Sequence, residues 1–516
     1  MSGRGADRVT TPLVRRDGEL VEASWPEALD AAVAGLKAAG ASTGVLTGGR
    51  LTREVAAQYA ALARDTLGTE DIDCRARAIS AEETEFLWRL AQTRPRPSAP
   101  GAAGAGPLGS DDPGPAPVTY SASGAGAGQS GSDDPGPGPV TYSDLEAAGH
   151  VVLVGFEPED EAPIVFLRLR KANRRNKVKV TVIAPYLSVG SAKLNATLVA
   201  TAPGAEAAAL AALDLDEGTV VLGGERLATS PGALQALAQT SQKGARWAWI
   251  PRRPGEIGAL QAGAFPRPTG RAADAIVAAL NSGDLKAVVI GGVELQDLPD
   301  PKAAQAALRK AFTVSLEQRL SDAAELADVV LPVNLLEETS GTFVNWEWRD
   351  CPVAQVITRP ASPMTEIRVL QALAEALAQA PGGPAVAGPG SGIGARDSAP
   401  SAGPLAEAAD DPAASAGPIL ATHRELLDDA RLTDNETALI ASARPVVARV
   451  NGRTAQTFGL GDAARVTLNG VAFDLVVDDT VVDGVVWAPA RARGHDLAAA
   501  GLVVGRPVAL AKEAAA

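Results

Sequence analysis

The chain has 516 residues, enough for more than one domain, and it is acidic, with 61 acidic against 47 basic residues and a formal net charge of −14. This balance does not favour nucleic-acid binding, and its 2 cysteines are too few for a disulfide framework or for an iron–sulfur cluster, which needs about four thiolates. So few cysteines fit a reducing compartment, no apolar run is long enough to span a bilayer, and the first residues do not form an apolar signal region.

Residues 1–94 predict the first part of an α/β body. The motif Ser-Trp-Pro-Glu at residues 24–27 has the form of a capping box, and it predicts a helix that ends at Gly40. A short strand at residues 44–47 follows. Thr52 can then cap a helix that runs to Leu67, where Gly68 stops it.

Two segments rich in proline, glycine and serine interrupt the chain, at residues 95–143 and 381–418. In the first, GSDDPGPAPVTYS at residues 109–121 recurs almost unchanged at residues 131–143. Such compositions bury too little apolar surface to order themselves. We predict that the first segment is a loop with a tandem duplication and that the second is a disordered linker. The alternative for the first segment is a linker that docks a partner.

Strands and helices alternate in residues 144–380, which predicts a doubly wound parallel sheet. The predicted strands lie at residues 151–154, 178–183, 219–222, 247–250, 287–290, 312–316 and 327–331, and the predicted helices at residues 159–173, 206–213, 272–281, 302–311 and after Pro231. Residues 419–516 differ. Short strands at residues 446–450, 464–468, 473–477 and 485–488, with Asn-Gly and Asp-Gly turns, predict a small β-barrel.

A motif in the middle of the chain resembles the molybdopterin oxidoreductase superfamily. It consists of Ala-Asp-Val-Val-Leu-Pro at residues 327–332, then Glu338, Gly-Thr at 341–342, Asn345, Glu347 and Arg349. Trp348 stands where the superfamily has glycine, and we expect the segment 342–349 to be extended. The segments TPLVRRDG at 11–18 and GDAARVT at 461–467 resemble the same superfamily, the latter its C-terminal double-psi barrel that grips a dinucleotide. The resemblance implies doubly wound parallel sheets of this type plus a small double-psi-like barrel.

The unit GGRLTREVAAQYAALARDTLGTEDIDCRAR at residues 48–77 resembles the family of the large iron–sulfur subunit, the G subunit, of bacterial NADH:quinone oxidoreductase, respiratory complex I. In that family this portion is largely a scaffold of the peripheral arm, and upstream iron–sulfur domains carry electrons from flavin towards quinone. The resemblance implies other peripheral-arm subunits as partners and a location on the cytoplasmic side of the cell membrane, without insertion. It also implies that the chain begins late and that clusters belong to missing N-terminal domains or to partner subunits.

Four predicted strands end in glycine: Gly48-Gly49, Gly155, Gly223-Gly224 and Gly291-Gly292. In an open α/β sheet such ends face the ligand crevice, where glycine lets backbone amides meet phosphate; simple turn chemistry is the favoured alternative. Glu157, Glu225 and Glu294 follow three of these ends, and like charge would repel a pyrophosphate. Cofactor-binding relatives commonly have Gly-x-Asn-Pro at two of them, so we expect a phosphate site that has been given up.

We predict no catalytic, cofactor-binding or metal-binding residue, and no cofactor in this chain. Arg75 and Arg77 could lower the pKa of Cys74, but a buried structural cysteine is favoured, and Cys351 is expected to pack. The three histidines lack metal spacing; we place His150 at the start of a strand, His423 at the start of a helix and His495 at the start of a loop. The basic run 168–179 is interpreted as a solvated helix face, with docking of an acidic partner as the alternative.

The sequence thus predicts a scaffold component of NADH:quinone oxidoreductase with a degenerate molybdopterin fold and no autonomous active site. One alternative is an active molybdopterin-guanine-dinucleotide oxidoreductase similar to formate dehydrogenase or nitrate reductase. The fold favours it, whereas the missing metal ligand and the three glutamates do not. A second alternative is a stand-alone scaffold without a respiratory role.

Overall fold

The computed structural model of the chain describes residues 8–93, 139–358, 363–380, 417–433 and 436–513. Most of the two predicted low-complexity segments therefore lies outside the described residues. The last residues of the second copy of the repeat are among the described residues, and there Thr141 caps the helix Tyr142–Ala147.

The first sheet has seven strands, and it combines a parallel core with an antiparallel hairpin at one edge. Its spatial order is Glu19–Glu22, Leu13–Arg16, Val329–Pro332, Phe312–Glu317, Ala287–Gly291, Thr43–Thr47 and Ile72–Asp73. The last five strands run parallel. The hairpin, which turns at Asp17 and Gly18, was not among the predicted elements.

Helices cover both faces of this sheet, as a doubly wound fold requires. One face packs against Trp25–Ala39, Arg53–Ala61 with its π-helical continuation Leu62–Leu67, and Glu366–Gln379. The other packs against Ala273–Ser282, Pro301–Lys310 and Asp322–Leu326. The predicted capping box is confirmed, since Ser24 and Glu27 exchange backbone-to-side-chain hydrogen bonds at the start of the first helix.

The second sheet has five strands, all parallel, in the order Thr197–Ala200, Lys179–Ala184, His150–Val154, Thr219–Gly224 and Arg246–Ile250. Its helices are Ala81–Thr93, Tyr142–Ala147, Pro158–Glu161, Pro163–Asn176, Val189–Lys193, Glu206–Ala212, Ala233–Gln239 and Glu256–Ala262. The single helix predicted at residues 159–173 is wrong. Ala162 leaves the helical region, with φ −143° and ψ 63°, and Pro163 begins a second helix because the residue before a proline disfavours helical geometry.

The segment after the strand Val329–Pro332 forms a hairpin of Gly341–Val344 and Asp350–Val353. The expected extended run over residues 342–349 is therefore wrong in its second half. Trp348 takes φ 65° at the turn, a left-handed conformation that favours glycine. The chain keeps the backbone that suits a glycine while it carries a tryptophan.

The region predicted as a small barrel is a six-stranded sheet of mixed direction. Its spatial order is Ile419–Ala421, Val485–Trp487, Val447–Val450, Val471–Val477, Arg465–Leu468 and Leu510–Lys512. A two-stranded ribbon, Arg491–Ala492 with His495–Asp496, and the short helices Thr437–Ile440 and Gly452–Thr457 complete it. Among the described helices, none is long and apolar enough to cross a membrane.

Candidate functional site

Two of the glycines at the strand ends, Gly48 and Gly224, lie against neighbouring backbone. The Gly48 N–H donates to the Gly291 carbonyl oxygen at 2.9 Å. A Cβ atom on Gly48 would lie 2.1 Å from the Gly292 oxygen, and one on Gly224 would lie 2.5 Å from the Gly155 oxygen. The absence of a side chain therefore serves close packing between adjacent loops, which supports the turn interpretation over phosphate binding.

The helix that starts after the second-sheet strand His150–Val154 already has an anion at its N-terminus. Glu157 Oε2 accepts from the Asp160 N–H at 2.6 Å, and Ser188 Oγ donates to Glu157 Oε1 at 2.7 Å. Burial raises the pKa of Glu157, although His423 and Ser188 oppose the shift. The position that an external phosphate would take at this helix start is filled by the chain's own carboxylate.

Glu294, at another strand end, pairs with an arginine from a distant segment. Arg431 Nη1 lies 3.0 Å from Glu294 Oε1, and its Nη2 lies 2.9 Å from Glu317 Oε2. Burial outweighs Arg431 and raises the pKa of Glu294, while the two carboxylates outweigh burial and raise the pKa of Arg431. One guanidinium therefore joins two strand ends of the first sheet.

Asp297 forms a second such junction. Arg253 Nη2 lies 2.9 Å from Asp297 Oδ2, and Arg424 donates to Asp297 Oδ1. Burial acts to raise the pKa of Asp297, but Arg253 and Arg424 outweigh it and hold the pKa far below its usual value. Arg424 also donates to Asp428 at 2.7 Å.

Glu225 belongs to a third network, which connects the two sheets. It lies 3.4 Å from Arg77 Nε and 3.2 Å from Arg252 Nε. Arg77 also pairs with Glu83 at 2.8 Å and with Glu256 at 3.0 Å, and its side chain is 5% exposed. The arginines outweigh burial and hold the pKa of Glu225 below its usual value.

These contacts correct the expectation of a negative rim. Glu225 and Glu294 are ion-paired with arginines, so like-charge repulsion alone does not describe this crevice. The superfamily's dinucleotide nevertheless does not fit the residues present. The helix N-terminus is filled by Glu157, the carboxylates Glu294 and Asp297 are bound to arginines, and protein atoms fill the spaces beside Gly48, Gly155 and Gly224.

A cavity of about 190 Å³ remains between the two sheets and the C-terminal sheet. Both sides contribute apolar and charged residues, and the lining includes Arg226, Arg252, Leu298, Arg424, Arg491 and Leu502. The volume is that of a few water molecules or one small ligand. The Arg491 Nη1 atom is buried and has no hydrogen-bond partner within the described part of the chain.

The cysteines are in structural positions. Cys74 is 1% exposed and lies in the core between the first sheet and its helices. Burial, then Asp73, raise the pKa of the Cys74 thiol, which confirms the favoured interpretation as a buried structural cysteine over the alternative in which Arg75 and Arg77 lower that pKa. Both arginines are engaged with carboxylates instead. Cys351 is a free, half-buried residue of the hairpin.

The three histidines lie in separate places. His150 begins a strand as predicted, and its Nε2 lies 2.8 Å from Thr181 Oγ1; burial lowers its pKa. His495 lies in the short strand of the ribbon. His423 does not begin a helix. It follows the strand Ile419–Ala421, is 5% exposed, and accepts from the Trp487 N–H at 3.1 Å.

Three polar residues of the superfamily motif, Glu338, Asn345 and Glu347, hold the hairpin and the turn before it in place. Arg8 donates two hydrogen bonds to Glu338, at 3.0 and 2.5 Å. Glu347 Oε1 accepts from the Tyr142 N–H at 2.7 Å, and Asn345 Nδ2 donates to Glu347 Oε2 at 2.8 Å. The motif thus ties this region to Arg8, which precedes the first strand, and to the helix Tyr142–Ala147 beside the second sheet. Within the described ranges, no group of three or more His, Cys, Asp or Glu residues is placed to hold a metal ion.

Sequence reasoning missed the arginines of the segment 424–444 and the buried acids that they meet. Arg424, Arg431 and Arg444 reach Asp297, the Glu294–Glu317 pair and Asp160 across more than a hundred residues of sequence. The segment has no periodic pattern, so only its density of arginines could have drawn attention.

The comparisons with known proteins agree with the motif. The family model described as "Molybdopterin oxidoreductase" matches residues 8–376. The chain is 41% identical over 559 aligned residues to the G subunit of NADH-quinone oxidoreductase from Streptomyces coelicolor, covering 97% of this chain and 63% of that protein. It is 40% identical to the Mycobacterium bovis protein of the same name, covering 95% and 62%. It therefore spans just under two thirds of the length of these relatives.

Two further matches are weaker. A protein of Bacillus subtilis described as a putative formate dehydrogenase is 25% identical over 181 residues, which is 34% of this chain and 14% of that protein. The solved structure of acetylene hydratase from Pelobacter acetylenicus aligns with a TM-score of 0.59 at 14% identity, covering 99% of this chain and 93% of that one. This structural likeness supports the predicted fold class and nothing finer.

Proposed function

Since the chain belongs to the molybdopterin oxidoreductase family, we propose that it is a scaffold subunit in the peripheral arm of NADH:quinone oxidoreductase, respiratory complex I. The identity of 40 to 41% over nearly the whole chain to proteins named as the G subunit of NADH-quinone oxidoreductase supports this role. In this role the chain lies on the cytoplasmic side of the cell membrane, without insertion, and contacts other peripheral-arm subunits. It supports electron transfer from NADH to quinone by holding the other peripheral-arm subunits in their arrangement.

The proposal includes the absence of a dinucleotide cofactor and of a redox centre in these residues. The observation that supports this proposal is the filled crevice, in which Arg424 and Arg431 form ion pairs with the carboxylates at the strand ends. A dinucleotide would have to displace buried, paired charges, and breaking a buried pair costs about 3–5 kcal/mol. A scaffold needs only its outer surface and a rigid interior. Buried ion pairs such as these contribute to a rigid interior.

The test is affinity purification of the tagged chain from its own organism, with elemental analysis for Mo, W and Fe on the same sample. We expect other subunits of the complex to co-purify, and we expect Mo and W far below one atom per chain. Iron that comes with partner subunits should disappear when the chain is isolated from them. A stand-alone scaffold would instead purify without respiratory subunits.

An active molybdopterin oxidoreductase remains the second candidate because of Arg50. This residue follows Gly49 at a strand end, and burial and the nearby Arg253 lower its pKa. In the described part of the chain its guanidinium has no carboxylate within ion-pair distance, unlike Arg253, Arg424 and Arg431. Such an arginine could meet an anionic ligand. One Mo or W atom per chain would establish this candidate and overturn the scaffold proposal.

A further inference from the structure

The outer face of the helix Pro163–Asn176 combines two features that are unusual for a solvated helix. Ile164 and Leu167 are 54% and 55% exposed, although the same helix buries Val165, Phe166 and Leu169 in its own core. At 3.6 residues per turn, positions 164, 167, 168, 171, 174 and 175 share one face. That face is apolar in its first turn and basic from there to its end.

The basic residues at the end of this face are not neutralised by the chain. Arg168 and Lys171 each lie 2.7 Å from Glu146. Arg174, Arg175 and Lys177 are exposed, and the described part of the chain offers them no carboxylate within ion-pair distance. The helix dipole accounts for cations in the last turn. It does not account for the two exposed aliphatic side chains.

We propose that this face docks an acidic surface of another protein subunit, with Ile164 and Leu167 as apolar anchors at one end and Arg174, Arg175 and Lys177 as the charged contacts at the other. This inference rests on the proposed scaffold role. Protein interfaces combine buried apolar contacts with complementary charges at their exposed edge. A membrane helix would need a broad apolar face, whereas this helix has already buried its broad face against the second sheet.

The experiment has two arms, both in the complex purified from the source organism. In the first, a photo-crosslinking amino acid replaces Leu167, with Val477 of the C-terminal sheet, which is 52% exposed, as the control position. We expect a cross-link from position 167 to a segment of another subunit that is rich in Asp and Glu. In the second, Arg174→Glu with Arg175→Glu is compared with Arg309→Glu with Lys310→Glu. Both pairs lie in the last turn of a helix and are exposed.

We expect the first double variant to lower the yield of co-purified subunits several-fold, more at low salt than at high salt, and the second to leave it unchanged. Equal losses in both variants would overturn the inference but leave the scaffold role standing. So would a cross-link only to residues 94–138 of the same chain or to a second copy. Binding of the isolated chain to phosphatidylglycerol vesicles, lost in the first variant, would assign the face to a membrane instead. If the unaltered chain purifies without other subunits, the scaffold role itself fails and this inference with it.

Discussion

Removing Arg431 should destabilise the protein more than removing any exposed arginine. Its guanidinium joins Glu294 and Glu317, and the side chains of the three residues are 10%, 11% and 1% exposed. Arg431→Ala leaves two buried carboxylates without their partner. Loss of one partner of a buried pair costs about 3–5 kcal/mol. At roughly 2–4 °C per kcal/mol for a folding unit of 150–250 residues, the melting temperature should fall on the order of 10 °C.

The assay is thermal unfolding followed by circular dichroism, with Arg453→Ala as the control. Arg453 forms an ion pair of similar length with Asp483, 2.8 Å, but the two side chains are 79% and 54% exposed. An exposed pair contributes little, so this variant should melt close to the unaltered protein. If Arg431→Ala and Arg453→Ala shift the melting temperature equally, the crevice is not held together as we describe.

The loss in Arg431→Ala should also depend on pH. Without the arginine, the folded-state pKa of Glu294, which burial already raises, rises further above its unfolded value. Stability is then retained at low pH, where Glu294 is protonated, and is lost as the pH rises through the raised value. We therefore expect a smaller deficit at pH 5 than at pH 8. Adding Glu294→Gln and Glu317→Gln to the arginine variant should restore stability at pH 8, since no buried charge then remains unpaired.

Three further variants test other parts of the structure. Burial raises the pKa of Glu366 to about 7, above its unfolded value, so ionising this group destabilises the folded state as the pH rises. The stability of Glu366→Gln relative to the unaltered protein, measured by urea unfolding, should therefore increase by roughly 2–3 kcal/mol between pH 5 and pH 8. A difference that does not change with pH would contradict this. Trp348→Gly should be about 1 kcal/mol more stable than Trp348→Ala, because only glycine relieves the left-handed turn at φ 65°; the reverse order would show that the turn rearranges. Gly48→Ala should lower the melting temperature strongly because its Cβ would lie 2.1 Å from a backbone oxygen, whereas Gly149→Ala, with 3.7 Å to its nearest neighbour, should not; equal effects would refute the packing role of Gly48.

The parallel sheets could be predicted because their signals are local. Short apolar runs between turn residues indicate most strands of both sheets, and the capping box at residues 24–27 indicates the first helix. The short strands Ile72–Asp73 and Thr197–Ala200 were not predicted. The helices Ala81–Thr93 and Glu366–Gln379 were missed. The latter has a clear apolar stripe at Val369, Leu370, Leu373 and Leu377, so its periodicity alone could have identified it.

Other errors have a physical cause that a linear reading does not show. The helix break at Ala162 needed the rule for residues before proline. The alternative of a lowered pKa at Cys74 counted the neighbouring arginines without their carboxylate partners, whereas burial, on which the favoured structural interpretation depends, decided the direction. When a charged neighbour already forms ion pairs with other residues, its effect on the pKa of a nearby group is reduced.

The same reasoning decides how the crevice should be interpreted. Glutamates at the strand ends would repel a phosphate if they were unpaired, yet a carboxylate alone could equally accept hydrogen bonds from a sugar hydroxyl or a base. What distinguishes this crevice is that Glu294, Glu317 and Asp297 are already paired with arginines contributed from the segment after residue 417. An anion that bound these arginines would leave the acids buried and unpaired, and a ligand that bound the acids would leave the arginines buried and unpaired. Either exchange costs several kcal/mol before a new contact is made, so occupancy, rather than the sign of the rim, is the physical basis for proposing a scaffold.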